Sequence, residues 1–278
     1  MIKMNPRTLF TGTSLIALSA AAVWVGALSA GAADDATVSC GPNLKDQSMA
    51  IGKEPAPDDQ GRVFPLVTIH GITGSNADFE GVVDLSYKGY TPSESRTLIE
   101  NLTGKPGASK VKGFSHVRVY SYEYTKDSLR WVTDPAVGEE FGKVIDCLYA
   151  KHGVPVSVLA HSMGGLATRW VANSADPNGQ PRASKLGKIV TLGTPYLGSA
   201  IAAGAGGVID EVAERDLWTA FLVAYCGWNG TNTGEGACGP IPLLQSGTSE
   251  AGRALRKGSD ALASLSNWPG EVDVTALA

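Results

Sequence analysis

The stretch VPVSVLAHSMGGLATRW, residues 154–170, contains the residues that decide the fold. Residues 154–161, which are apolar and rich in β-branched side chains, predict a buried strand. A helical pattern begins at residue 165, and Ser162 lies at the turn between strand and helix. A serine at such a turn needs a strained backbone to project its hydroxyl, and only small residues fit two positions before and after it. Ala160 and Gly164 meet this requirement, so the pattern A-x-S-x-G predicts a nucleophile rather than a chance serine.

A glycine-rich turn, HGITGS at residues 70–75, follows another predicted strand, FPLVTIH at 64–70. Acyl transfer creates an oxyanion, which preorganised backbone N–H groups stabilise. The natural donors are the N–H groups of Ile72 and of Met163, the residue after the candidate nucleophile. A phosphate-binding turn is the alternative, but the required G-x-G-x-x-G and G-x-x-x-x-G-K-[ST] patterns are absent.

The remaining predicted elements alternate between strands and helices. Further strands are predicted at 116–124, 188–195 and 271–278, and helices at 134–152 and 165–175. Strands with continuous apolar runs, separated by helices, indicate a mostly parallel sheet covered by helices on both faces. The predicted fold class is therefore α/β.

The N-terminus has the pattern of a signal peptide, predicted over residues 1–32. Lys3 and Arg7 precede an apolar stretch, and the small residues 30–32 offer a cleavage site. A single membrane anchor is the alternative, but the small residues and the polar sequence after them favour cleavage and secretion. The polar residues 33–62 then predict an N-terminal arm running over the surface.

The sequence contains four cysteines, Cys40, Cys147, Cys226 and Cys238. An even number in an exported protein predicts two disulfides. Cys226 and Cys238 would close a short loop, which leaves Cys40 to pair with Cys147. A metal site is the alternative, but the sequence has no C-x-x-C pair and no histidine nearby.

The main domain is predicted to run from 63 to 278, with an insertion at 196–270 between its last two strands. The insertion includes apolar residues at helical spacing from Ile209 to Tyr225. Because it follows the C-terminal end of a parallel strand, where such folds bind ligands, it predicts a cap or lid. An ordinary packing helix of the core is the alternative.

Three motifs, HGITGS, AHSMGG and TLGTPYLGS (191–199), resemble in this order those of secreted bacterial lipases and esterases of the α/β-hydrolase fold. The alanine of A-x-S-x-G is similar to the variant in small Gram-positive lipases. The resemblance covers 64–199 well and 271–278 weakly. It implies an extracellular enzyme that hydrolyses carboxylic esters, such as triacylglycerols, through an acyl-enzyme on Ser162, with no metal or organic cofactor.

The four histidines, His70, His116, His152 and His161, all precede the candidate nucleophile. His70 is expected to be structural, His161 to point away from the serine hydroxyl, and the other two to lie at the surface. In this fold the order is serine, acid, histidine, so we expect both partners beyond residue 278, in a C-terminal strand and helix missing from this sequence. The alternative is a hydrolase relative that lost its catalytic residues and binds a ligand or partner.

The charge of the chain limits the partners that this protein is expected to bind. The net charge of −4 argues against a nucleic-acid partner, which usually requires a basic face. The expected partner is an ester or lipid substrate, with transient contact to a lipid interface through the cap, and the expected state is a monomer. An acyltransferase that uses the same serine is an alternative function. No residue of this sequence distinguishes an enzyme that transfers the acyl group to water from one that transfers it to an alcohol.

Overall fold

The computed structural model of the protein describes residues 39–50, 52, 54–76, 79, 115–199, 202 and 249–277. All of them belong to a single compact unit. The predicted signal peptide, the predicted helix from Ile209 to Tyr225 and the predicted pair Cys226–Cys238 lie outside the described residues.

Apart from the edge strand β1, the described strands and longer helices follow the order that the sequence predicts. In chain order they are β1 Leu44–Asp46, α1 Gln47–Ala50, β2 Phe64–Ile69, β3 Val117–Tyr122, α2 Glu140–His152, β4 Val156–His161, α3 Met163–Ala172, β5 Leu186–Leu192, α4 Glu250–Ala254, α5 Asp260–Ala263 and β6 Val274–Leu277. A π-helical turn, Pro135–Glu139, leads into α2, and its N-cap Asp134 accepts a hydrogen bond from the Ala136 N–H.

The strands form one six-stranded sheet in the order β1-β3-β2-β4-β5-β6. All neighbouring strands are parallel except β1, which runs antiparallel to β3 at the edge. The next strand along the chain, β3, pairs with one edge of β2, whereas β4 pairs with the opposite edge of β2. The strand order therefore reverses between β2 and β4, which is where open α/β sheets bind ligands beyond their carboxyl ends.

Two apolar clusters lie on opposite sides of the sheet, because successive strand residues point to opposite faces. The larger one joins Val67, Val158 and Ile189 of the sheet to the buried stripes of α2 and α3. The smaller one contains Phe79 and Val119, with Leu66, Val117 and Leu159 packed against them. The described residues thus form the mostly parallel α/β sheet with packed helices that the sequence predicts.

The N-terminal arm differs from the expectation of a segment that only runs over the surface. Leu44–Asp46 pairs with β3, and Gln47 and Ser48 of the next turn are buried. Its disulfide, Cys40–Cys147, joins the arm to α2, and this pairing is the predicted one. Three residues with the sequence LKD carry no alternating pattern, so the edge strand could not be recognised before its partner strand was known.

The segment from Ser249 to Leu265 lies inside the predicted cap insertion, yet it belongs to the main core. Ala251, Ala254 and Leu255 are buried in the larger cluster. Ser199 after β5 donates its N–H to the Leu255 carbonyl at 2.8 Å. This part of the insertion therefore packs into the core, whereas residues 203–248, on which the cap prediction depends, lie outside the described residues.

A buried ionic network fixes α2 to the turn before β5. The fully buried Arg182 donates to Glu139 and Asp146 at 2.9–3.0 Å, and to the Ser174 hydroxyl at 3.0 Å. Lys185 donates to Asp146 at 2.6 Å. Although burial opposes the charge, the paired carboxylates raise the pKa of Arg182, so it stays ionised.

None of the helices within the described residues combines the length and the apolar character needed to cross a membrane.

Candidate active site

Ser162 lies at the sharp turn between β4 and α3, which we term the elbow. Its backbone has φ 52° and ψ −125°, a conformation that L residues rarely adopt. The turn is anchored to β5, because the Ser162 N–H donates to the Leu192 carbonyl at 2.8 Å and the Thr194 hydroxyl donates to the Ser162 carbonyl at 3.0 Å. A strained serine held in this way is the geometry that A-x-S-x-G predicts for a nucleophile.

The small residues around Ser162 are required by the neighbouring strand. A Cβ on Gly164 would stand 2.6 Å from the backbone carbonyl oxygens of both Ile69 and His70. Ala160, two positions before the serine, is fully buried in the core cluster. Gly165 is also constrained, because a Cβ there would overlap the side chain of Thr194.

The glycine turn after β2, residues 70–75, which we term the oxyanion turn, lies directly beside the serine. A Cβ on Gly71 would stand 2.6 Å from the Ser162 Cβ and 3.0 Å from its Oγ. The register explains this approach, since Ile69 of β2 pairs with Ala160 of β4 and both chains leave the sheet at the same edge. Tertiary pairing therefore brings together the two motifs that are about ninety residues apart.

Two backbone N–H groups at this edge have no hydrogen-bond acceptor among the described residues. The Ile72 N–H makes no hydrogen bond to any described residue, and a bond from Gly74 N–H to the Gly71 carbonyl at 3.1 Å closes the turn. Met163 is the first residue of α3, and the first N–H groups of a helix have no intrahelical acceptor. Both predicted oxyanion donors thus lie at the elbow with their N–H groups available.

A carboxylate that the sequence analysis missed connects the oxyanion turn to β3. Glu123 follows β3 and accepts the Asn76 N–H at 2.9 Å and the Thr125 N–H at 3.1 Å. The Thr125 hydroxyl contacts both Glu123 Oε1 and the Gly74 carbonyl. An acidic residue at the carboxyl end of a strand next to β2 is the signal that could have identified it.

His70 is bound on all sides by scaffold groups, in agreement with the structural role expected of it. It is fully buried and stacks on Tyr124, with ring centroids 4.2 Å apart. Its Nδ1 lies 2.9 Å from the Gly71 carbonyl oxygen, and its Nε2 lies 3.1 Å from the Tyr124 N and 3.0 Å from Glu123 Oε1. Nδ1 therefore contacts the turn and Nε2 the end of β3, and neither contacts the serine hydroxyl.

The other histidines do not bond the nucleophile either, since no described residue makes a hydrogen bond to the Ser162 hydroxyl. His161 is exposed, and His116 contacts the Ala56 carbonyl through Nδ1 at 2.9 Å. His116 and His152 are both partly exposed, and the Nε2 of His152 lies 2.8 Å from the Tyr120 hydroxyl. Burial, followed by nearby Lys151, lowers the pKa of His152 to about 4.

A buried cation lies beside the segment that follows β5. Arg169 of α3 is 7% exposed, and its guanidinium carbon lies 5.5 Å from the centre of the Tyr196 ring. Among the described residues its Nε has no hydrogen-bond partner, and burial lowers its pKa. The Tyr196 hydroxyl lies 2.8 Å from the Thr191 hydroxyl, which fixes the ring against β5.

Metal-ligating side chains do not gather in the part of the chain that the structure describes. No group of three or more histidine, cysteine, aspartate or glutamate residues is placed there to hold an ion.

A sequence model of the family described as "Putative serine esterase (DUF676)" matches residues 65–210, which is more than half of the chain. The chain belongs to this family. The matched range begins in β2 and contains the oxyanion turn, the Ser162 elbow and the end of β5. The family model therefore covers every described element that forms the candidate site.

Solved structures with similarity to this member of the esterase family include lipases. Bacillus licheniformis lipase BlEst2 in its propeptide form is 16% identical with a TM-score of 0.46, over 80% of this chain and 37% of that chain. Its mature form is 18% identical with a TM-score of 0.45, over 80% of this chain and 68% of that chain. Aspergillus fumigatus lipase B is 17% identical with a TM-score of 0.33, over 52% of this chain and 28% of that chain. The chain thus spans well under half of the propeptide form's length, and no curated protein matches the sequence.

Proposed function

We propose that this protein is a serine hydrolase that cleaves carboxylic esters through an acyl-enzyme on Ser162. The observation that carries the proposal is the strained backbone of Ser162, φ 52°, directly beside Gly71 of the oxyanion turn. Strain of this kind persists only where the surrounding structure enforces it, and it concentrates at functional sites. Membership of the serine esterase family supports the same reaction class.

In the proposed reaction, the Ser162 hydroxyl attacks the ester carbonyl and transfers its proton to a base. The carbonyl oxygen becomes an oxyanion, which accepts hydrogen bonds from the N–H groups of Ile72 and Met163. The alcohol leaves with a proton, and the acyl group stays on Ser162. Water then attacks the acyl-enzyme and releases the carboxylic acid, which regenerates the serine hydroxyl.

The test compares the wild-type protein, expressed to the natural stop codon of its gene, with Ser162→Ala and a matched serine control. Ser184 is a suitable control, because it is exposed and bonds only the Pro181 carbonyl. We expect a fluorophosphonate probe to label the wild type and Ser184→Ala on Ser162, and not to label Ser162→Ala. Hydrolysis of p-nitrophenyl esters should fall by several orders of magnitude in Ser162→Ala alone. Near-normal turnover by Ser162→Ala would refute the proposal.

We propose lipids as the substrate class, and water as the usual acyl acceptor. The support is the resemblance of HGITGS, AHSMGG and TLGTPYLGS to lipase and esterase motifs. Rates on p-nitrophenyl esters of increasing chain length, and on triacylglycerol emulsions, measure the preference. Product analysis with a long-chain alcohol present separates hydrolysis from transfer, because only transfer yields a new ester.

We also propose that the protein is exported and acts as a monomer outside the cell. The support is the charged and apolar pattern of residues 1–32, together with the disulfide Cys40–Cys147, since disulfides persist in oxidising compartments. N-terminal sequencing of protein from the culture medium tests cleavage near residue 32. Light scattering of the same material measures its oligomeric state.

A further inference from the structure

The oxyanion turn needs support from outside itself to keep its donors in place. Thr73 has a φ of 54°, which is unfavourable for a β-branched residue, and it is exposed to solvent. A hydrogen bond from Gly74 N–H to the Gly71 carbonyl closes the turn. Without further contacts, we expect a strained and partly exposed turn of this kind to relax.

Glu123 and Thr125 supply that support from the end of β3. Glu123 Oε2 accepts the Asn76 N–H at 2.9 Å, just after the turn, while the Thr125 hydroxyl lies 2.9 Å from the Gly74 carbonyl oxygen. At the start of the turn, Glu123 Oε1 lies 3.0 Å from Nε2 of His70. The two side chains therefore contact the turn at its beginning and at its end.

The environment of Glu123 keeps it a carboxylate. Partial burial acts to raise its pKa, but hydrogen bonds from the Thr125 hydroxyl and the Asn76 N–H, and the nearby His70, lower it overall. As an ionised group it only accepts hydrogen bonds, which matches the N–H and hydroxyl donors around it. A glutamine of the same shape would turn an NH₂ group toward one of these donors.

We propose that Glu123 is a positioning residue of the acyl-transfer site, which holds the oxyanion turn so that the Ile72 N–H points at the developing oxyanion. This inference rests on the proposed function. Glu123 acts on the transition state through the turn and does not touch the substrate. Its loss should therefore lower kcat more than it raises KM, because the oxyanion forms only during the reaction.

The fold itself does not depend on this carboxylate. β2 and β3 keep their parallel pairing from Phe64 and Val117 to Ile69 and Tyr122 through backbone hydrogen bonds. A matched control is Glu54, an exposed glutamate away from the turn. Its carboxylate lies 2.8 Å from the guanidinium of Arg118, which belongs to β3, the strand that Glu123 follows. Glu54→Gln removes the same charge with the same change of shape.

The experiment measures kcat, KM and the rate of fluorophosphonate labelling for the wild type, Glu123→Gln and Glu54→Gln, each expressed to the natural stop codon. For Glu123→Gln we expect kcat and the labelling rate to fall about 10- to 100-fold, below the roughly 10²–10³-fold cost of deleting an oxyanion donor. KM should stay within about twofold, and Glu54→Gln should behave as the wild type.

A second pair of variants makes the test independent of the folding of Glu123→Gln. Thr125→Ser keeps the hydroxyl that contacts Gly74 and Glu123, and Thr125→Val removes it. We expect Thr125→Val to lose kcat and Thr125→Ser to retain most of it. Equal activity of this pair, or normal kcat in Glu123→Gln, would overturn the positioning role, provided that the wild type is labelled on Ser162. Absence of labelling in the wild type would instead refute the proposed function.

Discussion

Gly164 offers a direct test of how the elbow is packed against β2. Substitution by alanine adds one methyl group, which would stand 2.6 Å from the carbonyl oxygens of both Ile69 and His70. Cβ atoms essentially never approach other heavy atoms closer than 3.0 Å. Because both obstacles are backbone atoms at the end of an internal strand, no side-chain rotation can relieve the overlap.

The magnitude follows from the distance that the elbow must move. To reach even the 3.0 Å limit, the α3 end must retreat from β2 by about 0.4 Å, and a comfortable contact of ~3.5 Å needs roughly twice that. This displacement carries Ser162 away from Gly71 and the oxyanion turn. A misplacement of about 1 Å at a reacting group costs about 10²-fold in rate, so we expect kcat to fall about 10- to 100-fold. Overpacking should also lower the free energy of unfolding by about 1–3 kcal/mol.

The assay compares Gly164→Ala with Gly270→Ala in p-nitrophenyl ester hydrolysis, fluorophosphonate labelling and urea unfolding. Gly270 is the matched control, since a Cβ there would meet no atom within 4 Å. Gly270→Ala should equal the wild type in both rate and stability. Wild-type kcat in Gly164→Ala would show that the elbow tolerates the shift, and would refute the claim that its approach to β2 positions the nucleophile.

Three further predictions concern stability, measured by urea unfolding. Arg182→Met should lower the free energy of unfolding by about 2 kcal/mol, because it removes a buried cation from the partly buried Glu139 and Asp146, and Arg182→Lys should lose less; a loss under about 1 kcal/mol would contradict this. The folded pKa of His152, about 4, lies below its usual 6.5, so stability is complete above pH 6.5 and falls as the pH drops toward 4. After allowance for solvent screening, we expect the wild type to lose about 1–2 kcal/mol of stability over this pH range through His152, and His152→Gln not to show this loss. If the wild type and His152→Gln had the same pH dependence of stability, the assignment to His152 would be refuted. The double variant Cys40→Ser, Cys147→Ser opens a loop of 107 residues and should cost about 2–5 kcal/mol, whereas insensitivity of the wild type to reductant would argue against the bridge.

Short-range patterns predicted most of the elements that form the site. The strand before Ser162, the helix after it and the small residues beside it are consequences of local sterics, which act within a few residues. The same holds for β2 and its glycine turn. Asp134 and Gly153, which begin and end the α2 region, are also local signals, a side-chain cap and a left-handed residue with φ 64°.

Local pattern could not predict the partners of polar side chains. Glu123 is an unremarkable acid after a strand until β3 pairs with β2, which brings it to Asn76, 47 residues earlier in the chain. Arg182 likewise finds Glu139 and Asp146 only because α2 packs against the turn before β5. The contact of His152 with the Tyr120 hydroxyl likewise joins two different elements, so local pattern could not predict it.

The sequence by itself determined the local geometry of this protein: a strained Ser162 between strand and helix, a glycine turn with available N–H groups, and a mostly parallel α/β architecture. Only the tertiary structure decided the strand order, the edge strand Leu44–Asp46 and the membership of residues 249–265 in the core. The physical reason is range. Backbone sterics and hydrophobic periodicity act over a few neighbouring residues, whereas strand pairing, buried ion pairs and the support of the oxyanion turn depend on which distant segments come into contact.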